Sequence, residues 1–283
     1  MDSIQLVRGI IGSPEFCSLW GISTANVPDL CVMTDAPGLR YWFHLRDQVI
    51  GQRIAENNYE RPITAVVTRL ATPGSTVLDV GANLGYFSVL MGSLGCTVHA
   101  FEPFPDNFAL LTRNIRENNL ANVTAHQIAA HSETRNGKLY FRDDDRNENY
   151  GSMFTSSDPQ DKHLTSIDVR YARLDDLLHG LGPVTFVKID VEGAEIHALN
   201  GMAEILKRDK PSLVIELNEY ALLSANRHTP HELLLEIDGL GYQVFDAETE
   251  KPYRFSESST QYIYANLLCL PRHTGRGFEE SSR

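Results

Sequence analysis

The chain has 283 residues, 42% hydrophobic and 22% charged, which fits one large globular domain or a domain with an appendage. Its net charge of −12 argues against a nucleic-acid groove, which needs basic surface. Four scattered cysteines, Cys17, Cys31, Cys96 and Cys269, lack metal-ligand spacing and read as reduced thiols. No apolar run reaches the roughly 18 residues of a membrane span, and no signal-peptide pattern opens the chain, so the expected location is cytoplasmic.

Residues 1–58 are irregular in pattern and read as an N-terminal cap or extension. Gly12-Ser13-Pro14-Glu15-Phe16 resembles a cloning-site linker. Leu39 to Leu45 is aromatic-rich and reads first as a packing segment. Its aromatics at 41–43 could also face a sugar ring or, in a homodimer, a neighbouring subunit. Apolar residues at 63, 66, 67 and 70 have helical spacing, and Pro73-Gly74 stops that helix.

From Thr76 the pattern alternates strand and helix, the signature of a doubly wound, mostly parallel sheet. Strands are expected at 76–80, 97–101, 123–128, 184–190, 212–217, 242–245 and 263–270, with further short strands at 137–142 and 167–173. Pro105 opens a helix carrying Phe108, Leu111 and Ile115 on one stripe. Ile196, Leu199, Ala203 and Leu206 predict another helix stripe. Thr229-Pro230-His231-Glu232 is a capping box ahead of a helix ending at Gly239. The 143–166 stretch is polar and reads as an insertion, either a lid or a solvated hairpin tip. Its Asp143-Asp144-Asp145 triplet reads as a solvated turn. The tail 273–283 reads as disordered.

Chemistry concentrates at Asp79-Val80-Gly81-Ala82-Asn83-Leu84-Gly85. A buried strand running into a glycine turn and then a helix brings backbone close to a ligand. The spacing is neither the G-x-G-x-x-G of a dinucleotide site nor a P-loop, since no lysine follows. An acid inside the loop suits a cationic ligand, and S-adenosylmethionine, with its ammonium and sulfonium, fits. Glu102 ends the next strand, where an acid can accept hydrogen bonds from both ribose hydroxyls. Asp190, Glu192 and Glu216 cluster at the carboxyl ends of two adjacent strands. They are candidate general bases for an alcohol acceptor. Asp190 could instead bind cofactor or pair with Lys188, two residues back on the same strand face. No metal is assigned, and a dependence on a divalent ion is open only through Asp190 and its neighbouring acids. His99, His126 and His131 read as structural and His197 as a surface residue, while His228 and His231 are lesser base candidates.

These motifs, with Phe101-Glu102-Pro103 and Lys188-Ile189-Asp190-Val191-Glu192-Gly193-Ala194-Glu195, resemble the FkbM-type S-adenosylmethionine-dependent methyltransferases. Leu199-Asn200-Gly201 and Pro211 to Glu216 extend the likeness. The resemblance implies a Rossmann-like, seven-stranded class I fold with an antiparallel last strand, and a catalytic domain over 59–272. It implies that Asp79, Gly81, Asn83 and Gly85 surround the methionine end of S-adenosyl-L-methionine, that Glu102 holds the ribose, that Pro103 shapes the adenine side, and that Glu60 and Asp190 belong to the same site. It further implies methyl transfer to a hydroxyl of a saccharide or small natural product. The alternatives are a nucleic-acid methyltransferase, disfavoured by charge and by the absence of an Asn/Asp-Pro-Pro-aromatic motif, and a non-catalytic binder of the cofactor or another nucleotide.

Overall fold

The computed structural model describes residues 30–34, 38–44, 47, 50–142, 164–255 and 262–272. The Gly12–Phe16 segment, Cys17, Leu45, the Asp143–Asp145 triplet and the tail from His273 lie outside them.

The described residues begin with an antiparallel hairpin, β1 (Leu30–Thr34) and β2 (Arg40–His44), then α1 (Gly51–Ala55) and α2 (Arg61–Leu70). Alternation follows: β3 (Thr76–Val80), α3 (Tyr86–Ser93), β4 (Thr97–Phe101), α4 (Pro105–Glu117) and β5 (Val123–His126). Next come β6 (Ala129–Ala130), β7 (Arg135–Arg142), β8 (Leu164–Ala172) and α5 (Leu174–Leu177). The second half holds β9 (Val184–Ile189), α6 (Glu195–Gly201), α7 (Ala203–Asp209), β10 (Ser212–Asn218) and α8 (Glu219–Asn226). It ends with α9 (Pro230–Gly239), β11 (Tyr242–Asp246) and β12 (Tyr264–Pro271).

Seven strands form one sheet in the order β11-β12-β10-β9-β3-β4-β5. β12 is antiparallel to both neighbours, and the pairs from β10 through β5 are parallel. The central position of β3 explains its composition. Val77, Leu78 and Val80 are all 0% exposed, as a strand covered by helices on both faces requires. Two apolar clusters back the sheet. One is built on Val187, Ile189, Leu199 and Leu213, the other on Val77, Val98, Leu111 and Phe186.

Local signals explain the helices. Ile63, Val66 and Val67 are the buried stripe of α2. Both hydrogen bonds of the capping box form between Thr229 and Glu232 at the start of α9. The stripe expected over 196–206 is split: Met202 (φ −126°, ψ 21°) separates α6 from α7. Beside it, Gly201 lies so close to the His131 carbonyl that a Cβ would sit 2.2 Å from its oxygen.

Strand bounds need correction in places. The strand begun at Val123 stops at His126, short of Ile128. Leu164 to Ser166 belong to β8 and not to a loop. β7 and β8 leave the main sheet and form their own with β6, in the order β6-β8-β7.

The N-terminal hairpin docks on α4. Asn114, 0% exposed, accepts from the Trp42 amide (2.6 Å) and donates to the Trp42 and Leu84 carbonyls (3.1 and 2.7 Å). Tyr41 and Phe43 are buried, and the guanidinium of Arg113 lies over the Trp42 ring. Packing therefore accounts for these aromatics. Among the described residues, no helix is long and apolar enough to cross a membrane.

Candidate active site

The parallel register brings the ends of β3, β4, β9 and β10 to one edge of the sheet. Val80 pairs with Phe101 on one side and Ile189 on the other, and Ile189 pairs with Ile215. Whatever follows these residues is therefore gathered together: Gly81, Glu102, Asp190 and Glu216. A cavity of about 500 Å³ opens there. Open α/β sheets bind ligands at this place, beyond the carboxyl ends of the strands where strand order reverses.

Gly81 shows why the loop needs glycine. Its φ is +85°, and a Cβ there would lie 1.7 Å from the Asp190 carbonyl oxygen. Gly81 and Ala82 both donate from their amides to the Phe101 carbonyl at 2.9 Å. Glu102 completes the lock: its Oε2 accepts from the Asn83 amide and its Oε1 from the Phe104 amide, each at 2.8 Å. Burial pushes the Glu102 carboxyl up to about 7 against the pull of those two amides. Each oxygen keeps a lone pair, and the residue lines the cavity.

Asp79 is 1% exposed. Its Oδ2 accepts from the Ser88 hydroxyl, and its Oδ1 is buried without a hydrogen bond. Burial raises its carboxyl, with Lys188 and Ser88 opposing. Lys188, at 3% exposed, is held by Asp190 at 2.7 Å and lies over the Phe87 ring. Burial pulls its ammonium down, but Asp190, Glu60 and Asp79 outweigh that, and its pKa stands above the ordinary lysine value. Glu60 caps α2 in a left-handed conformation (φ 37°), and burial raises its carboxyl against the pull of Lys188.

Asp190, Glu192 and Glu216 bring one carboxylate oxygen each to within 4.8 Å of the others. Glu192 is held there with φ +50°. Glu216 is 7% exposed, and Tyr264 donates its hydroxyl to Oε1 at 2.6 Å. Burial, then Asp190 and Glu192, push the Glu216 carboxyl well up.

Of the residues expected at the site, Glu60, Asp79, Gly81, Asn83, Glu102, Pro103, Asp190, Glu192 and Glu216 all line the cavity. Gly85 does not line it. It stands at the start of α3 (φ +92°), where a Cβ would meet Leu111 at 2.6 Å. His228 and His231 are also absent from the lining. His99 and His126 stack on each other, in line with structural duty.

His197 is not a surface residue. It is half-buried, stacks on His131 with centroids 4.3 Å apart, and both rings face the cavity. Burial, then His197 and Arg135, bring His131 down to about 4.

Sequence reasoning missed a second wall. β7, β8 and their neighbours present Arg135, Lys138, Tyr140 and Tyr171 to the cavity. It also missed Tyr264, which reaches Glu216 from β12 (Asn218 pairs with Tyr264), and Glu195. The carboxylate of Glu195 accepts from the Gly193 amide at 3.0 Å, and burial raises it to about 7. Only the acidic run 190–195 hinted at Glu195, and nothing local hinted at Tyr264.

Residues 79–244 match the profile described as the methyltransferase FkbM domain. Over 152 residues the chain is 31% identical to Methyltransferase 1 of Beauveria bassiana (strain ARSEF 2860), covering 45% of this chain and 58% of that protein. Over 160 residues it is 29% identical to the 31-O-demethyl-FK506 methyltransferase FkbM of Streptomyces tacrolimicus, covering 47% and 61%. Among solved structures, a methyltransferase FkbM of Methylobacillus flagellatus KT is similar at 18% identity with a TM-score of 0.43, over 69% of this chain and 43% of that one. The chain spans about three fifths of the length of the curated relatives it matches.

Proposed function

The chain belongs to the FkbM methyltransferase family, and from that premise we propose that it moves the methyl group of S-adenosyl-L-methionine to a hydroxyl oxygen of a saccharide or small natural product. One observation carries this reading. Three carboxylates converge at the same cavity edge as the Gly81 loop and Glu102. A base thus stands beside a nucleoside-type pocket.

In this reading Asp79, Gly81 and Asn83 surround the methionine end. The unpartnered Oδ1 of Asp79 is suited to an ammonium. Glu102 takes the ribose hydroxyls on its remaining lone pairs, and Pro103 bounds the adenine. Glu60 contributes negative charge beside Lys188, and Gly85 supports the loop from behind. The excess of acids over Lys188 favours a cationic sulfonium. Residues 30–58 serve as a cap, supplying Ile50 and Arg53 to the wall of a domain that runs over 59–272. The Streptomyces relative is named as a methyltransferase of 31-O-demethyl-FK506, which favours an oxygen acceptor here.

The step needs alignment and one proton transfer. A carboxylate oxygen of Asp190, Glu192 or Glu216 accepts the acceptor's hydroxyl proton. The acceptor oxygen's electron pair bonds to the methyl carbon. The carbon–sulfur bond breaks, and its pair remains on sulfur as the thioether of S-adenosylhomocysteine. Holding the oxygen, carbon and sulfur in line is worth up to about 7–11 kcal/mol in the best cases.

Calorimetry with S-adenosylhomocysteine, beside NAD, tests the reading. One S-adenosylhomocysteine site weakened by Glu102→Ala is expected, followed by cofactor turnover on hydroxylated acceptors. Binding of NAD instead, or no binding, overturns it.

A further inference from the structure

The methyl-transfer reading uses Asp190, Glu192 and Glu216 as candidate bases, with Asp190 also beside the cofactor, yet their arrangement is more specific than a base requires. Three carboxylates within 4.8 Å of one another repel strongly when ionised. Lys188 answers Asp190 alone among them, through Oδ2. Glu216 supplies an independent observation. It is 7% exposed, its Oε1 accepts from Tyr264, and its Oε2 is buried with no hydrogen-bond partner. A buried oxygen left without a donor beside two further carboxylates is the environment a cation completes.

We propose that Asp190, Glu192 and Glu216 form a divalent-cation site at the acceptor end of the cavity. The donors are all carboxylate oxygens, which select hard ions of the Mg²⁺, Mn²⁺ and Ca²⁺ kind over soft ones. The spacing agrees. Oxygens across such an ion lie about 4.1 Å apart for Mg²⁺ and about 4.6–5.2 Å apart for Ca²⁺, twice the respective bond lengths. Each residue contributes one oxygen and keeps the other. Lys188 holds Oδ2 of Asp190, and Tyr264 holds Oε1 of Glu216, so two of the three ligands are oriented by neighbours. The site faces the cavity, since all three residues line it.

The catalytic use of the ion rests on the methyl-transfer reading. A hydroxyl bound to the ion loses its proton more readily, and a carboxylate oxygen outside the coordination shell receives it.

Manganese binding to the full chain tests the site directly. After EDTA treatment and desalting, MnCl₂ is titrated while the free Mn²⁺ paramagnetic resonance signal is followed, without S-adenosylmethionine. One Mn²⁺ per chain is expected, displaced by excess Mg²⁺ or Ca²⁺. Glu216→Gln and Glu192→Gln should each weaken it at least tenfold, and Glu204→Gln on the exposed face of α7 should leave it unchanged. In EDTA, Glu216→Gln should melt no lower than wild type, because it removes a repelling charge. If it does not fold, Glu192→Gln carries the test. No Mn²⁺ uptake at millimolar concentration, or uptake unaltered by both glutamine variants, overturns the site. S-adenosylhomocysteine calorimetry in EDTA separates the two readings. S-adenosylhomocysteine binding without Mn²⁺ uptake sinks the cation site alone, and Mn²⁺ uptake without S-adenosylhomocysteine binding sinks the cofactor reading alone.

Discussion

Lys188 and Asp190 are two residues apart on one strand and meet at 2.7 Å, with Lys188 almost wholly inside the protein. The pair lies where β9 ends and the cavity begins, so the lysine neutralises charge on the floor of the pocket. Burying an ammonium is tolerable only with such partners.

Removing that ammonium should therefore be costly. Lys188→Met leaves the acids around it, Asp190, Glu60 and Asp79, without their shared cation. A loss of about 3–5 kcal/mol is expected, because one partner of a buried pair is left behind. Urea denaturation measures it; a loss under about 1 kcal/mol would show that water already reaches the pair.

Glu195 should set a pH trend. Its carboxyl is 1% exposed and stands at about 7, above an unfolded value of 4.5. The folded state binds the proton more tightly, so this group's stability contribution is complete below pH 4.5 and lost as pH rises through about 7. The difference is about 3 kcal/mol. Glu195→Gln has no such loss, so its melting temperature relative to wild type should climb between pH 5 and pH 8. A parallel shift at both pH values would refute this.

Gly81 and Gly180 make a matched pair. Both have φ +85°, but a Cβ at Gly180 meets nothing within 4 Å. Gly180→Ala should cost about 1–2 kcal/mol, for left-handed backbone alone. Gly81→Ala must also displace the Asp190 carbonyl, so it should cost more and abolish S-adenosylhomocysteine binding. Equal denaturation midpoints for the two variants would mean the loop yields freely.

Asn114 should act as the clasp of the cap. Asn114→Ala strands the Trp42 amide and the Trp42 and Leu84 carbonyls, at about 1–3 kcal/mol for each group that water does not reach. Hydrogen exchange should speed up at Trp42 well before β3 is affected. S-adenosylhomocysteine affinity should fall as Ile50 and Arg53 leave the wall. Unchanged exchange at Trp42 would show that the apolar contacts of Tyr41 and Phe43 suffice.

The central sheet was legible because its signals are local. Thr76–Val80 and Thr97–Phe101 match their expected bounds residue for residue, each being a β-branched run flanked by turn residues. Most acids of the site were legible for the same reason, since Asp79 and Glu216 lie within readable strands and Glu102 and Asp190 directly follow them. What escaped depends on contacts distant in sequence. The split at Met202 sits beside the packing of Gly201 on His131, while the apolar stripe runs straight through. The partners of β7 and β8 are a matter of sheet assignment, which a strand pattern does not encode. Tyr264 reaches Glu216 only through an antiparallel pairing across 48 residues.

The docking of the hairpin on Asn114 also has a consequence for biosynthesis. Trp42 precedes Asn114 by 72 residues, so the ribosome releases the cap several seconds before its landing site exists, at roughly 5–20 residues per second. During that interval the rings of Tyr41 and Phe43 have Ile50 and Ile54 beside them but not Leu84, Val89 and Leu110, the later part of their cluster. The hairpin is thus made early and seated late, and part of its apolar side waits until α4 has emerged.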